Sequence, residues 1–430
     1  MGAETMQEER QKAVLVGLNN TRREEGVDIE ASMDELNELA KAAGAEVLTT
    51  VTQNRPNVDP AYFIGKGKVD EIKRLCETFN VNIVIFNDEL SGSQIRNLED
   101  ALGVNVIDRT ALILDIFAQR ANTKEGKLQV ELAQLKYRLS RLIGLGKQLS
   151  QLGAGIGTRG PGEQKLETDR RHILKRIDDI QYELKEVRRN RKVQRERRTK
   201  SELPIVALVG YTNAGKSTLM NSLLKMSEQY DCGREVYVED VLFATLDTFL
   251  RKLSFPNKLE FILIDTVGFV SKLPHALIDA FKATLEEVRY ADLLIHVIDA
   301  SNEEYSLQKE TTLSVLRELD VENKNIINVY NKIDRVPDIT LLPRENNSLA
   351  ISAKTGRNLD LLLQYIKNQV GPQVVEVDLL IPYDKGNLIS SLHDNGVVVE
   401  LEYAEEGIRA KANIEKTYYH KYEPFLYLTS

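Results

Sequence analysis

Gly210-Tyr-Thr-Asn-Ala-Gly-Lys-Ser217 follows an apolar run at residues 205–209 and opens into Thr218-Leu-Met-Asn-Ser-Leu-Leu224. An apolar strand, a glycine-bearing loop and a helix-like stretch are the context of a phosphate-binding loop. Glycines let successive backbone N–H groups turn inward around a phosphate, and the helix N-terminus adds partial positive charge. Gly210, Asn213, Ala214, Gly215, Lys216, Ser217 and Thr218 are therefore the candidate cradle. Lys216 is expected to reach the β- and γ-phosphates as a catalytic group, and the Ser217 hydroxyl to hold Mg²⁺.

Three further stretches follow in order, each at the end of an apolar strand. Phe261-Ile-Leu-Ile-Asp-Thr-Val-Gly-Phe269 places Asp265 at a strand end and Gly268 in the turn after it. Asp265 is the second candidate Mg²⁺ residue, expected to act through water. The Gly268 N–H is the candidate sensor of a γ-phosphate. Ile326-Ile-Asn-Val-Tyr-Asn-Lys-Ile-Asp334 ends in a polar turn. The Asp334 carboxylate can accept from the N1–H and exocyclic amino group of guanine. Adenine lacks that donor pair, so it would cost about 1–3 kcal/mol or more. Asn331 is expected to brace the loop and Lys332 to lie over the base. Ala350-Ile-Ser-Ala-Lys354 puts Ser352, Ala353 and Lys354 where a backbone N–H can meet guanine O6. Four stretches in this order read as a GTP-binding domain rather than coincidence.

A chain of 430 residues predicts several domains with ample core. Its net charge of −8 argues against a uniformly basic nucleic-acid binder, while leaving room for a local basic surface. DNA is not an expected partner. Cys76 and Cys232 lie far apart with no metal-ligand spacing, so a disulfide scaffold is not expected and a reducing, cytoplasmic location fits. His296, inside Leu293-Leu-Ile-His-Val-Ile-Asp299, reads as a structural core histidine. No apolar run is long enough to span a bilayer, so only peripheral membrane association is compatible with the sequence. A monomer is the expectation.

The predicted fold class is α/β. The first ten residues read as a polar, frayed start. Residues 1–124 form an N-terminal parallel α/β domain, because short apolar strands near residues 13–17, 47–51, 81–86 and 104–107 alternate with helical patterns. Residues 125–202 lack strand signals. Leu128, Leu132, Leu135, Leu139 and Leu142 keep helical spacing, as do Ile173, Ile177, Ile180 and Leu184. Between them lies Gly153-Ala-Gly-Ile-Gly-Thr-Arg-Gly-Pro-Gly162, rich in helix breakers. A long antiparallel helical hairpin with a glycine-rich tip is the prediction. Its second helix ends in a basic run at residues 188–200, which reads either as a solvated face or as a phosphate-backbone contact. Residues 203–371 form the central P-loop GTPase domain. Residues 372–430 form a small α+β C-terminal domain with a strand near 375–381, a helical pattern over 382–394 and a hairpin of 396–403 with 408–414.

The chain resembles the HflX-type GTPases over nearly its whole length. Beyond the nucleotide stretches, the resemblance rests on long strings. These are Phe63-Ile-Gly-Lys-Gly-Lys68, Asp88-Glu-Leu-Ser91, Ile107-Asp-Arg-Thr110, Asp115-Ile-Phe-Ala-Gln-Arg-Ala121, Gln129-Val-Glu-Leu-Ala-Gln-Leu135, Gly157-Thr-Arg-Gly-Pro-Gly-Glu163, Leu166-Glu-Thr-Asp-Arg-Arg171 and Leu242-Phe-Ala-Thr-Leu-Asp247. The resemblance implies a GTPase that binds the large ribosomal subunit and its RNA and splits or rescues stalled or idle ribosomes, under stress or antibiotic exposure in some members. It implies that the glycine-rich tip approaches the peptidyl-transferase region. Thr245, in the switch string, is the candidate threonine for Mg²⁺ and the γ-phosphate, serving in metal binding and catalysis. Thr248 follows Asp247 where relatives often carry Pro-Thr, which puts it in doubt as a ligand. Phe269 stands where many GTPases carry a water-orienting glutamine, so intrinsic hydrolysis is expected to be slow. Asn213, three residues before Lys216, raises K⁺ as a second cation beside Mg²⁺.

Two other readings remain open on the residues. One is a regulatory GTPase whose helical arm binds a protein or an acidic membrane surface. The other is a nucleic-acid-remodelling ATPase using the N-terminal domain, with an ATP site at Phe63-Ile-Gly-Lys-Gly-Lys68; against it stand Asn331 and Asp334, the spacing of that string and the lack of a following Ser or Thr. A structural turn, or an RNA contact through Lys66 and Lys68, is the competing account of that string.

Overall fold

The computed structural model describes residues 11–20, 28–152, 161–199, 203–227, 243, 249–255, 259–272, 288–319, 321, 324–343, 345, 347–371, 374–404, 406–415 and 418–427. Met1 to Arg10, the tip residues 153–160, Cys232, Thr245 and Thr248 lie outside the described residues. The chain divides into two compact units, Met1–Leu253 with Phe261–Arg357, and Ser254–Glu260 with Asn358–Ser430.

The first unit opens with four strands, β1 (Lys12–Asn20), β2 (Glu46–Arg55), β3 (Ile83–Phe86) and β4 (Asn105–Asp108). They form one sheet in the order β2-β1-β3-β4, and each pairing is parallel. Helices α1 (Ile29–Ala42), α2 (Lys66–Phe79) and α3 (Gly92–Leu102) are the crossovers that parallel pairing requires. Their starts follow local chemistry. Asp28 accepts from Glu30 N at 2.9 Å, and Ser91 with Gln94 forms a reciprocal capping box. Val14, Val16, Val84 and Phe86 pack with Val69, Ile72 and Leu98 on one face of the sheet. Ala13, Leu15 and Ile85 pack with Leu36 and Leu39 on the other. The alternation along β1 thus feeds two cores. The string at residues 63–68 enters α2 without a side-chain cap on Gly65, whose N–H instead donates to Gln53 Oε1 at 2.8 Å.

After α4 (Arg109–Arg120) come α5 (Lys124–Leu152) and α6 (Pro161–Thr199). Pro161 and Gly162, predicted as part of the tip, already belong to α6. Proline is tolerated in a first helical turn because its missing N–H has no intrahelical partner there. The helices run antiparallel. Arg176 forks onto Glu131 at 2.7 and 2.8 Å, and Lys124 pairs with Glu183 at 3.7 Å. Leu128 and Leu132 pack against Ile177, Ile180 and Leu184, with Leu135, Leu139 and Ile173 partly buried beside them. The α6 backbone continues to Thr199, but the side chains of residues 190–199 lie outside the described set. Arg189, in the same basic run, is exposed.

The nucleotide-domain sheet has six strands in the order β10-β9-β8-β5-β7-β6. They are β5 (Ile205–Gly210), β6 (Phe249–Ser254), β7 (Glu260–Asp265), β8 (Leu293–Asp299), β9 (Ile326–Asn331) and β10 (Ser348–Ala350). β5 lies between β7 and β8 and is parallel to both. The central strands β5 and β8 are buried almost throughout, as near-continuous apolar runs predict. His296 is buried on β8 against Asn328 Oδ1 at 3.2 Å, and burial pulls its pKa down to about 4. It is neutral and structural at physiological pH. Helices α7 (Lys216–Met226) and α8 (Tyr305–Glu318) belong to this part of the unit.

The second unit contains α9 (Leu359–Val370) and an antiparallel sheet of β11 (Val374–Ile381), β12 (Gly396–Ala404) and β13 (Gly407–Glu415), ordered β11-β13-β12. The 396–414 hairpin forms as the alternation predicts. The stretch read as one helical pattern over 382–394 is divided into a 3₁₀ turn at Tyr383–Lys385 and helix α10 at Asn387–Asn395. Gly386 separates them. Leu392 and Tyr422 close a small core over Val377, Leu379, Ala410 and Ala412. Among the described residues no helix is long and apolar enough to cross a membrane.

Candidate active site

Parallel strands with short exits place β5, β7, β8 and β9 so that their carboxyl ends converge on one edge. That edge is where α/β sheets carry ligands. Residues 210–217, 265–269, 331–334 and 352–354, separate in sequence, meet there.

The loop after β5 is shaped by backbone rather than side chains. Gly210 has φ 149°, and a Cβ there would lie 2.2 Å from Val297 O. Gly215, at φ 93°, precedes α7, and a Cβ would lie 2.3 Å from Asn331 Nδ2. Neither position admits a side chain. Asn213 is exposed at the crest of the loop with φ 58°. Ala214 is fully buried. Lys216 is buried, and its ammonium donates to Gly210 O at 3.1 Å and Tyr211 O at 2.8 Å. Burial lowers its pKa to about 8, and the field of Asp265 opposes that shift. A cation held without a full counter-charge is poised for an anion.

Ser217 Oγ donates to Asp265 Oδ2 at 2.6 Å, and Asp265 is fully buried at the end of β7. A hydroxyl oxygen beside a carboxylate suits a hard cation such as Mg²⁺. Among the described residues no group of three or more His, Cys, Asp or Glu is arranged to hold a metal. Gly268 lies against the loop: a Cβ would sit 2.9 Å from Lys216 Nζ and 2.8 Å from Thr212 Cγ2. Phe269 N donates to Gly210 O at 3.2 Å, and Thr212 N donates to Phe269 O at 2.7 Å. The Phe269 side chain is buried. It lies in the apolar core rather than facing solvent.

On the other side, Asn331 joins two loops through one amide. Its Nδ2 donates to Ala214 O at 2.9 Å, and its Oδ1 accepts from Ala353 N at 2.9 Å. Ser222 of α7 donates to Ala353 O at 2.6 Å. Lys332 adopts φ 63° and its ammonium pairs with Asp299 at 2.7 Å. Asp334 is exposed, and its Oδ1 accepts from buried Ser352 Oγ at 2.6 Å. That hydrogen bond, foremost, holds the Asp334 carboxyl below the usual carboxylate range. Lys354 is exposed at the end of the same loop.

Sequence reading missed a second layer behind the loop. The Tyr211 hydroxyl donates to Glu35 and accepts from Ser271 N at 2.5 Å. Glu35, from α1, also accepts from Ser271 Oγ and pairs with buried Arg109 at 2.5 Å. Tyr211 occupies a variable place in the loop motif, and Glu35 is one of many acidic residues on a helix. Only Arg109, inside Ile107-Asp-Arg-Thr110 at a strand end, had a signal, and it named no partner.

Four family models match in succession. They are the N-terminal domain of GTP-binding GTPases over residues 30–118, the middle region of the same group over 120–198, a 50S ribosome-binding GTPase domain over 205–332, and the HflX C-terminal domain over 341–417. The chain is 50% identical over 412 residues to the GTPase HflX of Caldanaerobacter subterraneus subsp. tengcongensis, covering 96% of this chain and 92% of that protein. It is 42% identical over 403 residues to the GTPase HflX of Escherichia coli, covering 92% and 91%. The crystal structure of a GTP-binding protein from Sulfolobus solfataricus with GDP aligns over 84% of this chain and 98% of that one, with 26% identity and a TM-score of 0.44. The phosphate loop, the motifs gathered at its sheet edge and a succession of domain matches spanning the chain lead to one assignment: this protein is a GTP-binding GTPase of the HflX family.

Proposed function

We infer that the protein binds the large ribosomal subunit in its GTP state and splits or rescues stalled or idle ribosomes in the cytoplasm. The observation that carries this reading is the match of residues 205–332 to a domain described as a 50S ribosome-binding GTPase. The hairpin α5–α6 supports it as an arm that reaches out from a packed base at Leu128, Ile180 and Leu184. The basic run at residues 188–200 supplies cations for RNA phosphates despite the acidic whole. The glycine-rich tip has little side-chain bulk and suits a narrow RNA cavity. In this reading the four domains are 1–124, 125–202, 203–371 and 372–430.

At the nucleotide, Gly210, Asn213, Ala214, Gly215, Lys216, Ser217 and Thr218 cradle the phosphates. Ser217, Asp265 and Thr245 serve Mg²⁺, which supplies charge neutralisation at the phosphates. Asp334 reads guanine, Ser352 fixes that carboxylate, Asn331 braces the two loops, Lys332 flanks the base, and the 352–354 backbone meets O6. Gly268 reports the γ-phosphate.

Sedimentation through sucrose gradients tests the ribosomal reading. Purified protein should co-migrate with large subunits with a non-hydrolysable GTP analogue and be released with GDP. Binding should weaken steeply between low and moderate salt, because each phosphate contact adds to the salt dependence. Light scattering with intact ribosomes and GTP should report splitting, slowed when the 153–160 tip is shortened. Absence of binding in every nucleotide state would transfer the assignment to a regulatory GTPase with a non-ribosomal partner.

K⁺ is part of the same proposal. Asn213 stands at the crest of the phosphate loop, and Phe269 is buried and has no group that hydrogen-bonds water. A monovalent cation beside the β- and γ-phosphates would replace part of the missing charge stabilisation. Hydrolysis is expected to run faster in KCl than in NaCl at matched ionic strength, and Asn213→Ala should remove the difference. Equal rates in the two salts would sink the K⁺ assignment.

A further inference from the structure

We propose that Glu35 is a positioning residue for GTP hydrolysis, and that the consecutive residues Asp108 and Arg109 extend its hold from the phosphate loop to helix α5. The proposal concerns the GTPase centre and is independent of the ribosomal reading.

Three side chains from three segments share one partly buried polar knot. Glu35 comes from α1, Tyr211 from the phosphate loop, and Ser271 from the segment two residues beyond Phe269. The Tyr211 hydroxyl accepts from Ser271 N at 2.5 Å and donates to Glu35. Glu35 also accepts from Ser271 Oγ. Arg109 closes the knot: its guanidinium reaches Glu35 at 2.5 Å, Ser271 Oγ at 3.0 Å and Asn87 Oδ1 at 2.9 Å. The exposure of its side chain is only 2%. Lys272, next in the chain, pairs with Asp88 at 2.8 Å.

This knot acts on chemistry through geometry. Gly268 must bring its N–H to the place a γ-phosphate occupies, and residues 269–271 set where Gly268 sits. They are stitched to residues 210–212 by the Phe269–Gly210 and Thr212–Phe269 backbone bonds. Those bonds fix the near end of the segment. Glu35 and Tyr211 fix the far end, at Ser271. A segment held at both ends is ordered before the nucleotide arrives, which is how a positioned donor contributes to a transition state.

The same strand end faces the hairpin. Asp108, which precedes Arg109, is fully buried. It accepts from Leu90 N at 3.0 Å, Ala111 N at 2.9 Å, Tyr137 Oη at 2.8 Å and Arg141 Nη2 at 2.5 Å. Tyr137 and Arg141 lie one turn apart on α5, with the guanidinium 3.2 Å from the ring centroid. Gly92 lets α5 approach, since a Cβ there would lie 2.8 Å from Arg141 O. Adjacent residues on a rigid strand–helix junction therefore face opposite ways. Arg109 points to the γ-phosphate segment and Asp108 to the arm. A shift at Ser271 on loading GTP has a short, packed route to α5.

Tyr211→Phe removes one hydroxyl, and Glu35→Ala removes the acceptor; both are compared with wild type by thermal unfolding. If Glu35→Ala fails to fold, Tyr211→Phe carries the test alone. Two readouts use purified protein without ribosomes. Single-turnover hydrolysis at saturating GTP is expected to fall about tenfold, while GDP affinity stays within about twofold of wild type. In wild type, amide exchange on α5 around residues 137–141 should differ between GDP and a non-hydrolysable GTP analogue, and the variants should lose that difference. A merely structural role would change stability and both nucleotides together. Hydrolysis equal to or faster than wild type in the variants overturns the positioning role. A nucleotide response on α5 that is absent in wild type, or intact in the variants, overturns the link to the hairpin.

Discussion

Replacing Lys216 by alanine is expected to lower kcat/KM for GTP on the order of 10²–10³-fold, with the loss falling on kcat as well as on binding. In the structure the ammonium is buried and satisfied by two carbonyls, Gly210 O and Tyr211 O. Neither acceptor carries a full charge, and burial has already lowered its pKa to about 8. A triphosphate oxygen is a far stronger partner. The gain is greatest in the transition state, where charge builds on the bridging and γ-oxygens, and a preorganised donor in a water-poor site is worth about 2.7–4 kcal/mol there. Gly268, within reach of the same ammonium, adds its N–H to the same region. The measurement is steady-state hydrolysis together with fluorescent-nucleotide binding. Wild-type turnover in Lys216→Ala would remove the loop from its assigned role. Circular dichroism checks the fold, which should hold because alanine also ends the cost of burying a cation.

The second large effect is a change of substrate. Asp334→Asn is expected to weaken GTP binding about 10²-fold or more and to favour xanthosine triphosphate. The carboxylate can accept two hydrogen bonds from guanine, each worth roughly 1.5–3 kcal/mol to a charged acceptor. An amide presents one donor and one acceptor, which fits the xanthine edge and opposes the guanine amino group. The pocket can tolerate the exchange. Ser352 Oγ lies 2.6 Å from Asp334 Oδ1 and can keep that bond to the amide oxygen, holding the side chain in place. Competition of GTP and XTP for the variant reads the outcome directly. An unchanged preference for GTP would mean that Asp334 does not read the base.

These predictions draw on the parts of the molecule that were open to reading. Residues 205–226 carry strand, loop and helix signals within one short stretch, and each is local. Apolar residues at strand spacing make β5, glycines free the loop, and Lys216 onward returns to helical spacing. Parallel pairing in the N-terminal sheet was legible for the same reason, since strands alternating with helices leave parallel crossovers as the compact solution. Where local signals compete, the boundaries moved. Pro161 and Gly162 entered α6, and Gly386 parted a 3₁₀ turn from α10.

Contacts between distant segments are a different matter. Nothing in Glu35 distinguishes it from its acidic neighbours on α1 until the fold sets it beside Tyr211, Ser271 and Arg109. The partner of Asp108 on α5 was equally hidden, because Arg141 stands beside Arg138 and Lys136 on the same helix and its spacing alone does not single it out. Even Asn331, readable as a brace, had no named target before Ala214 O and Ala353 N were seen at 2.9 Å on either side of its amide. The elements, their order and the chemistry offered at each strand end follow from neighbouring residues, because propensity, periodicity and turn chemistry act over a few positions. Which enclosed charges meet depends on the packing of distant segments. A buried carboxylate or guanidinium must find a partner wherever packing brings one, and that partner can be 74 residues away, as Arg109 is from Glu35, or 236, as Ser271 is.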